Sequence, residues 1–169
     1  MSDTLELIRS RSNPARPSTE VVVVEDVGSD EDSCPAFGFL RGIRDRALSI
    51  EFRFANGNSQ AFPYSWLGPM NYNPSAGLLL KFVGDMIYLV LIEGSNLNAL
   101  VGGAVSLYDR GVQRHRVSWV REMTPQQAEL AEPGDVVIDR IYVVSYRVDE
   151  EPKKPEWLER VNAGIGLHE

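Results

Sequence analysis

The sequence is poor in the residues that build reactive sites. Its 169 residues include one cysteine, Cys34, and two histidines, His115 and His168. A single cysteine excludes an intramolecular disulfide and fits a reducing compartment. The histidines are far apart in the chain, and neither has a companion at metal-ligand spacing. The sequence therefore predicts neither a metal site nor a cofactor.

Long apolar runs are missing as well. The longest, residues 86–92, contains seven residues, whereas a helix that crosses a bilayer needs roughly 18 or more. Residues 1–6 carry acidic groups where a signal peptide needs a basic start followed by an apolar stretch. We therefore expect no membrane association and a cytoplasmic location.

Catalytic motifs do not appear in the chain. Cys34 lies close to Asp32, whose negative charge disfavours the thiolate that a nucleophile requires. Gly94-Ser95 is not part of a G-x-S-x-G sequence, and Gly102-Gly103 lies in an apolar stretch rather than in a phosphate-binding loop. The sequence favours a protein that is not an enzyme, with an unrecognised small-molecule enzyme left as an alternative.

Charge is distributed unevenly. Residues 38–122 contain nine Arg or Lys and six Asp or Glu, a net charge of +3. Residues 1–37 contain three basic and eight acidic groups, and residues 123–169 contain five and ten, so each end has a net charge of −5. This pattern and the length predict an acidic mobile arm over residues 1–37, one domain over residues 38–148 and an acidic tail over residues 149–169. We expect the valines at residues 21–24 to form a short edge strand. We expect Trp157 and Leu158 to be a docking point of the tail.

Two β-hairpins are predicted in the central domain. Residues 48–54 alternate strictly between apolar and polar, which is typical of a half-buried strand. Asn56-Gly57 is well suited to a type I′ turn, and residues 61–67 form the return strand. The second hairpin pairs residues 78–83 with residues 86–92. Its nearly continuous apolar strands indicate either that both faces are covered or that a barrel closes.

The remaining segments are predicted from turn and helix signals. Gly68-Pro69 and Asn73-Pro74 indicate a loop over residues 66–74. After Ser95, apolar residues at three- and four-residue spacing predict a helix that ends before Gly111. A capping box at Thr124 predicts a short helix, and residues 136–148 are predicted to form a long strand. The apolar face of the helix predicted after Ser95 consists of Leu97, Leu100, Val101, Ala104, Leu107 and Tyr108.

Three segments between residues 39 and 97 resemble the Sm-like family. Residues 39–46, followed by the strand at residues 47–53, are similar to the short helix and first strand of that family. Met70-Asn71 falls where the first Sm motif ends. Residues 92–97, with the sequence Ile-Glu-Gly-Ser-Asn-Leu, are similar to the second motif. The resemblance covers about a third of the chain.

The resemblance implies a small, strongly bent antiparallel barrel that assembles edge to edge into a ring and binds single-stranded RNA. On that basis Asn71 would hydrogen-bond a base and Tyr72 would stack on one, while Gly94 and Asn96 would line the same pocket. Arg41 and Arg44, in the basic lead-in, would contribute to RNA binding. These six residues are the candidate RNA-binding residues of the sequence.

Other roles for these residues stay open. Asn71 and Tyr72 lie between Gly-Pro and Asn-Pro pairs and also fit ordinary turn positions. Gly94 also fits a bend after a strand. The chain departs from the Sm pattern at Glu93, where a basic residue is usual, and at Leu67, where the family has aspartate.

The expected fold is α+β, with a small bent antiparallel barrel, a packed helix and an additional C-terminal strand. The expected role is a non-catalytic, homo-oligomeric binding module, with single-stranded RNA as the candidate ligand. A protein–protein adaptor is the alternative.

Overall fold

The computed structural model describes residues 31–150 and residue 156. The predicted edge strand at residues 21–24 lies outside the described residues, as do Trp157 and Leu158. Within the part that is described, no helix is long and apolar enough to span a bilayer. The first strand begins at Glu31, seven residues before the predicted start of the domain.

Nine strands and one short α-helix lie within residues 31–150. The helix, α1 (Pro125–Glu129), begins at the predicted capping box. The strands are β1 (Glu31–Ser33), β2 (Phe37–Leu40), β3 (Ser49–Arg53), β4 (Ser59–Pro63), β5 (Leu67–Asn73), β6 (Gly77–Val83), β7 (Ile87–Ser95), β8 (Val117–Arg121) and β9 (Val137–Tyr146). Single turns of 3₁₀ helix cover Tyr64–Trp66 and Val112–Arg114.

The strands form two sheets. The first has the order β1-β2-β8-β3-β4, and its neighbours are antiparallel except for β3 and β8, which run parallel. The second has the order β5-β6-β7-β9 and is antiparallel throughout. Strands β8 and β9 therefore join different sheets, although they are consecutive in the chain.

The predicted α+β barrel is wrong. Over residues 31–150 the strands form two open sheets rather than a closed barrel, and the one α-helix has five residues. The segment predicted as a loop, residues 66–74, contains strand β5. Strand β9 pairs with β7 and extends the second sheet, so the second hairpin forms the two inner strands of that sheet.

The helix predicted after Ser95 is also wrong. Gly102 and Gly103 both have positive φ, at 59° and 69°, which is the requirement of a type I′ turn. Val101 N donates to Val105 O at 2.8 Å, and the two valines form an isolated β-bridge. Two consecutive glycines therefore specify a tight turn here. The apolar residues on either side of them are spaced like a helix face, but they belong to segments without regular secondary structure.

Both predicted hairpins are present. In the first, β3 and β4 are joined across Asn56-Gly57, but only Gly57 has positive φ (86°), so the turn is not type I′. In the second, β6 and β7 pair from Leu78 with Ile92 to Val83 with Ile87. The strand positions of the second hairpin and of β3 are confirmed, whereas the return strand β4 covers residues 59–63 rather than the predicted 61–67, and residues 64–66 form a 3₁₀ turn.

The core lies between the two sheets. Phe62, from the first sheet, stacks on Phe82, from the second, with ring centroids 4.8 Å apart, and Phe52 meets Phe82 at 6.2 Å. All three rings are buried. Leu89 belongs instead to a separate cluster on the opposite face of the second sheet. The nearly continuous apolar sequences of β6 and β7 therefore reflect side chains that are buried on both faces of the second sheet.

A corner joins the sheets just after β8. Met123 N donates to Ile138 O on β9 at 2.9 Å. The buried carboxylate of Glu122 accepts one hydrogen bond from Ala55 N (2.6 Å) and another from Ile141 N (2.7 Å). One side chain therefore ties the end of β3 to β9. We call residues 122–123 and these partners the corner.

Candidate functional site: an apolar cleft beside the corner

A cleft of about 510 Å³ opens beside the corner. Four segments enclose it: the turn between β1 and β2, the Gly102 turn, the end of β8, and α1 with the loop that follows it. Its described lining residues are Cys34, Pro35, Ala99, Leu100, Val101, Gly102, Arg121, Met123, Gln127, Leu130, Ala131, Gly134, Asp135 and Val136. Most of these side chains are apolar, which is usual for a pocket that binds a small molecule or a partner side chain.

Helix α1 forms one wall, and its start is fixed by local hydrogen bonds. The Thr124 hydroxyl accepts from Gln127 N (3.3 Å), and the Gln127 side-chain oxygen accepts from Thr124 N (2.9 Å). Pro125 occupies the first helical position, where its missing N–H costs nothing. This capping box holds Gln127, which lines the cleft, in one orientation.

The loop after α1 forms the next part of the wall. The Asp135 carboxylate accepts from Glu132 N at 2.9 Å, and Asp135 N donates to Glu132 O at 3.0 Å. Asn96 donates its side-chain N–H to Asp135 O, also at 2.9 Å. Gly134, which lies between Glu132 and Asp135, has a positive φ of 100°. These bonds fix Asp135 against the end of β7.

Arg121 is the cation of the cleft. Its Nη2 and Nε donate to Pro35 O at 2.8 and 3.2 Å. Its guanidinium carbon lies 5.3 Å from the centre of the Trp119 ring. A guanidinium has five N–H groups, so these two bonds orient it and leave further donors for an oxygen acceptor.

The rim carries two exposed leucines. Leu100 is 55% exposed and Leu130 is 84% exposed, and both line the cleft. Leu100 projects from the turn at Gly102, and Leu130 follows the last residue of α1. Exposed apolar groups around an apolar cleft are typical of interaction surfaces.

Cys34 is a half-buried free thiol in this cleft. The described lining also contains an arginine and an aspartate, but no histidine that would pair with a thiol as a base. Within the described residues, no cluster of three or more His, Cys, Asp or Glu could hold a metal ion. The arrangement is suited to binding through shape and apolar contact.

The candidate RNA residues on the second sheet do not form one pocket. Tyr72 packs against the core and stacks on Tyr108 at 5.4 Å. Asn71, the preceding residue of the same strand, is exposed and points to the opposite face. Gly94 lies near the end of β7, where an added Cβ would collide with the Val137 carbonyl. Gly94 therefore permits close approach of β9.

The other candidate RNA residues are placed elsewhere. Asn96 has φ of 56° and holds Asp135, so it supports the wall of the cleft. Arg41 and Arg44 are exposed in the segment after β2, on the side of the first sheet. Arg41 lies 3.5 Å from the Asp32 carboxylate. Asn71 and Tyr72 thus lie on opposite faces of the second sheet, Gly94 and Asn96 lie together at the end of β7, and Arg41 and Arg44 lie beside the first sheet.

Sequence reasoning missed the cleft because its residues come from four distant segments. Leu100 was assigned to the apolar face of a helix that does not form. The signal that could have located part of the cleft is local: Gly102-Gly103 as a turn would have exposed Leu100. The helix that starts at the capping box was expected to end near Pro133-Gly134, but it ends at Glu129 and leaves Leu130 exposed.

His115 is not among the described lining residues of the cleft. Its ring stacks on Tyr64, with centroids 4.5 Å apart, and the Tyr64 hydroxyl donates to Val117 O at 2.8 Å. Burial lowers the pKa of His115 below its usual value of 6.5, and the positive charge of Arg46 lowers it further. The folded chain therefore binds this proton less readily than the unfolded chain does.

We expect acid to weaken the fold through His115. Because the pKa of His115 is lower in the folded state, the free energy of unfolding should fall as pH drops through 6.5. In His115→Asn, a residue that tolerates the observed φ of 54°, the fall should be smaller. Urea unfolding on both sides of this pH measures it, with His168→Asn as the control. An equal fall in the wild type and His115→Asn would refute the assignment.

Comparison of the chain with family models, with curated proteins and with solved structures gives no match. The Sm-like relationship therefore stays a prediction from the sequence motifs, and function is argued from the cleft.

Proposed function

We propose that this chain is a non-catalytic binding module whose cleft receives an apolar side chain of a protein partner. The observation that carries the proposal is the pair of exposed leucines, Leu100 and Leu130, at the mouth of a preformed apolar cleft. Burying exposed apolar surface is the main source of affinity at such sites. The proposal follows the adaptor alternative of the sequence analysis.

Arg121 indicates a second chemical feature of the partner. Its guanidinium is held by the Pro35 carbonyl and by the Trp119 ring, so it loses little further freedom when it binds. The donors that remain suit an oxygen of the partner, either a backbone carbonyl or a carboxylate. The expected ligand is an extended segment that presents an apolar side chain next to such an oxygen.

The ionisable groups of the cleft support binding rather than catalysis. Asp135 accepts from Glu132 N and Arg121 donates to Pro35 O, so both are used to shape the walls. Cys34 has no base among the described lining residues. A cysteine nucleophile activated by a base would need such a group within hydrogen-bond reach.

RNA binding, self-association and a cytoplasmic location stay predictions from the sequence. The dispersal of the six candidate RNA residues gives RNA less support than the cleft gives a protein partner. Self-association through strand edges would need free outer strands. On β9 the outer edge is partly occupied, because Ile138 O and Ile141 N bond to the corner.

We expect Leu130→Asp to weaken partner binding at least about tenfold, because a charge at the rim loses apolar contact worth about 1.4 kcal/mol or more. Peptides selected from a phage-displayed random library on the full chain provide the probe. The matched control is Leu48→Asp, since Leu48 is 90% exposed in the segment before β3 and away from the cleft.

The affinity of one selected peptide is measured for the wild type and for each of the two variants, which tests whether the cleft is the binding site. Equal affinities for Leu130→Asp and Leu48→Asp would contradict the cleft as the binding site. A labelled single-stranded oligonucleotide is tested in parallel. Salt-dependent retention that is lost in Arg41→Glu/Arg44→Glu, without peptide binding, would favour RNA instead.

A further inference from the structure

The outer face of the second sheet carries an apolar patch. Leu79, Leu89 and Leu91 form its centre, and they are 8%, 7% and 0% exposed. The strand registers place these residues side by side: Leu79 pairs with Leu91, and Leu91 pairs with Tyr142. Ala76, Tyr142, Val144 and Tyr146 pack around the three leucines. We call these seven residues the outer patch.

The outer patch faces away from the core. Side chains alternate along a strand, and the residues on either side of Leu79, Leu78 and Leu80, belong to the core cluster. In the same way Val90 and Ile92 face the core, so Leu91 faces outward. The outer patch is therefore the far side of a sheet layer.

A sheet face in contact with water would leave its central side chains exposed, yet Leu91 has no exposed surface. Among residues 31–150, every member of this cluster comes from the second sheet itself or from the turn before β6. The side chains packed around Leu91 shield it in part, and a segment docked on this face would complete the cover.

We propose that the C-terminal segment, residues 151–169, docks on the outer patch. Strand β9 ends at Tyr146, a member of the outer patch, so the segment starts at its rim. Directly afterwards Glu150 N donates to Arg147 O at 3.1 Å, which marks a turn. The chain is therefore led out of the sheet beside the surface to be covered.

The sequence of the segment fits the outer patch. Trp157, Leu158, Val161 and Ile165 recur at the spacing of one helix face, and Glu156, between the turn and these residues, is helical and exposed. About 15 residues of helix span about 22 Å. The outer strands of a four-stranded sheet are about 14 Å apart, so the 19 residues after position 150 suffice to cross the patch.

The direct test is contact between Trp157 and the leucines in the full chain. NOESY spectra with labelled leucine methyl groups should show cross-peaks from the Trp157 indole to the methyls of Leu89 and Leu91. Absence of those cross-peaks would overturn the proposal. Cross-peaks from the valines at residues 21–24, or a mass that doubles with concentration, would overturn it in favour of the N-terminal segment or a second copy.

A paired set of variants gives a second measurement. Trp157→Ser/Val161→Ser should raise the fluorescence of a bound apolar dye severalfold, because the outer patch becomes exposed. The control, Glu159→Ser/Arg160→Ser, changes the opposite face of the same helical pattern and should leave the fluorescence unchanged. Equal dye binding by the two variants would overturn the proposal.

Discussion

Replacing Phe82 by alanine is expected to lower the free energy of unfolding by about 3–5 kcal/mol. Phe82 is fully buried between the sheets and meets Phe62 and Phe52 from the facing layer. Removing its ring loses the transfer free energy of the ring and leaves a cavity that the two sheets cannot fully collapse. The loss should therefore be larger than for any change on the surface.

Urea unfolding of the full chain measures the effect. Val83→Ala is the control, since Val83 follows Phe82 on β6 but points to the other side and is 45% exposed. The control should lose less than about 1 kcal/mol. Similar losses for the two variants would show that β6 does not present Phe82 to a facing sheet.

Glu122→Gln is expected to cost about 2–3 kcal/mol, because the carboxylate accepts two backbone N–H bonds and a bond to a charged group contributes about 1.5–3 kcal/mol. The glutamine oxygen can accept from either Ala55 N or Ile141 N, but its NH₂ group would then face the other donor. The site is 8% exposed, so water replaces the lost bond poorly.

The matched control for Glu122 is Glu129→Gln on the exposed surface of α1. It makes the same chemical change and should alter the free energy of unfolding by less than about 0.5 kcal/mol. Equal stabilities of the two variants would contradict the role of Glu122 in the corner.

The sequence predicts local structure well where a single signal decides it. Alternation over residues 48–54 gives β3, and the capping box gives the start of α1. Leu48, although in phase with Ile50 and Phe52, is exposed because β3 begins only at Ser49. Alternation sets the face of a strand but not its end.

The sequence does not predict how the strands are shared between the sheets. The parallel contact of β3 with β8 joins residues 51–53 to residues 119–121, and nothing local marks it. The apolar runs of β6 and β7 allowed two interpretations, a closed barrel or a layer covered on both faces. The choice depends on β9 pairing with β7, which again is a long-range contact.

The cleft could not be predicted for the same reason. Its walls meet only because the corner brings the end of β8 beside β9, through Met123 N and Ile138 O. Several residues of the cleft were found by sequence reasoning for other roles, among them Leu100 and Val101 on the face of a helix that does not form. Asn96 was assigned to an RNA pocket and supports the cleft wall, and Gln127 was found as part of a helix cap.

We propose that the chain binds its partner in the cleft beside the corner. The most direct measurement is an amide shift map of the full chain with a display-selected peptide. We expect the largest changes at Val101, Met123 and Val136. Largest changes on the exposed edge of the second sheet, around Asn71, or on Arg41 and its neighbours would contradict it.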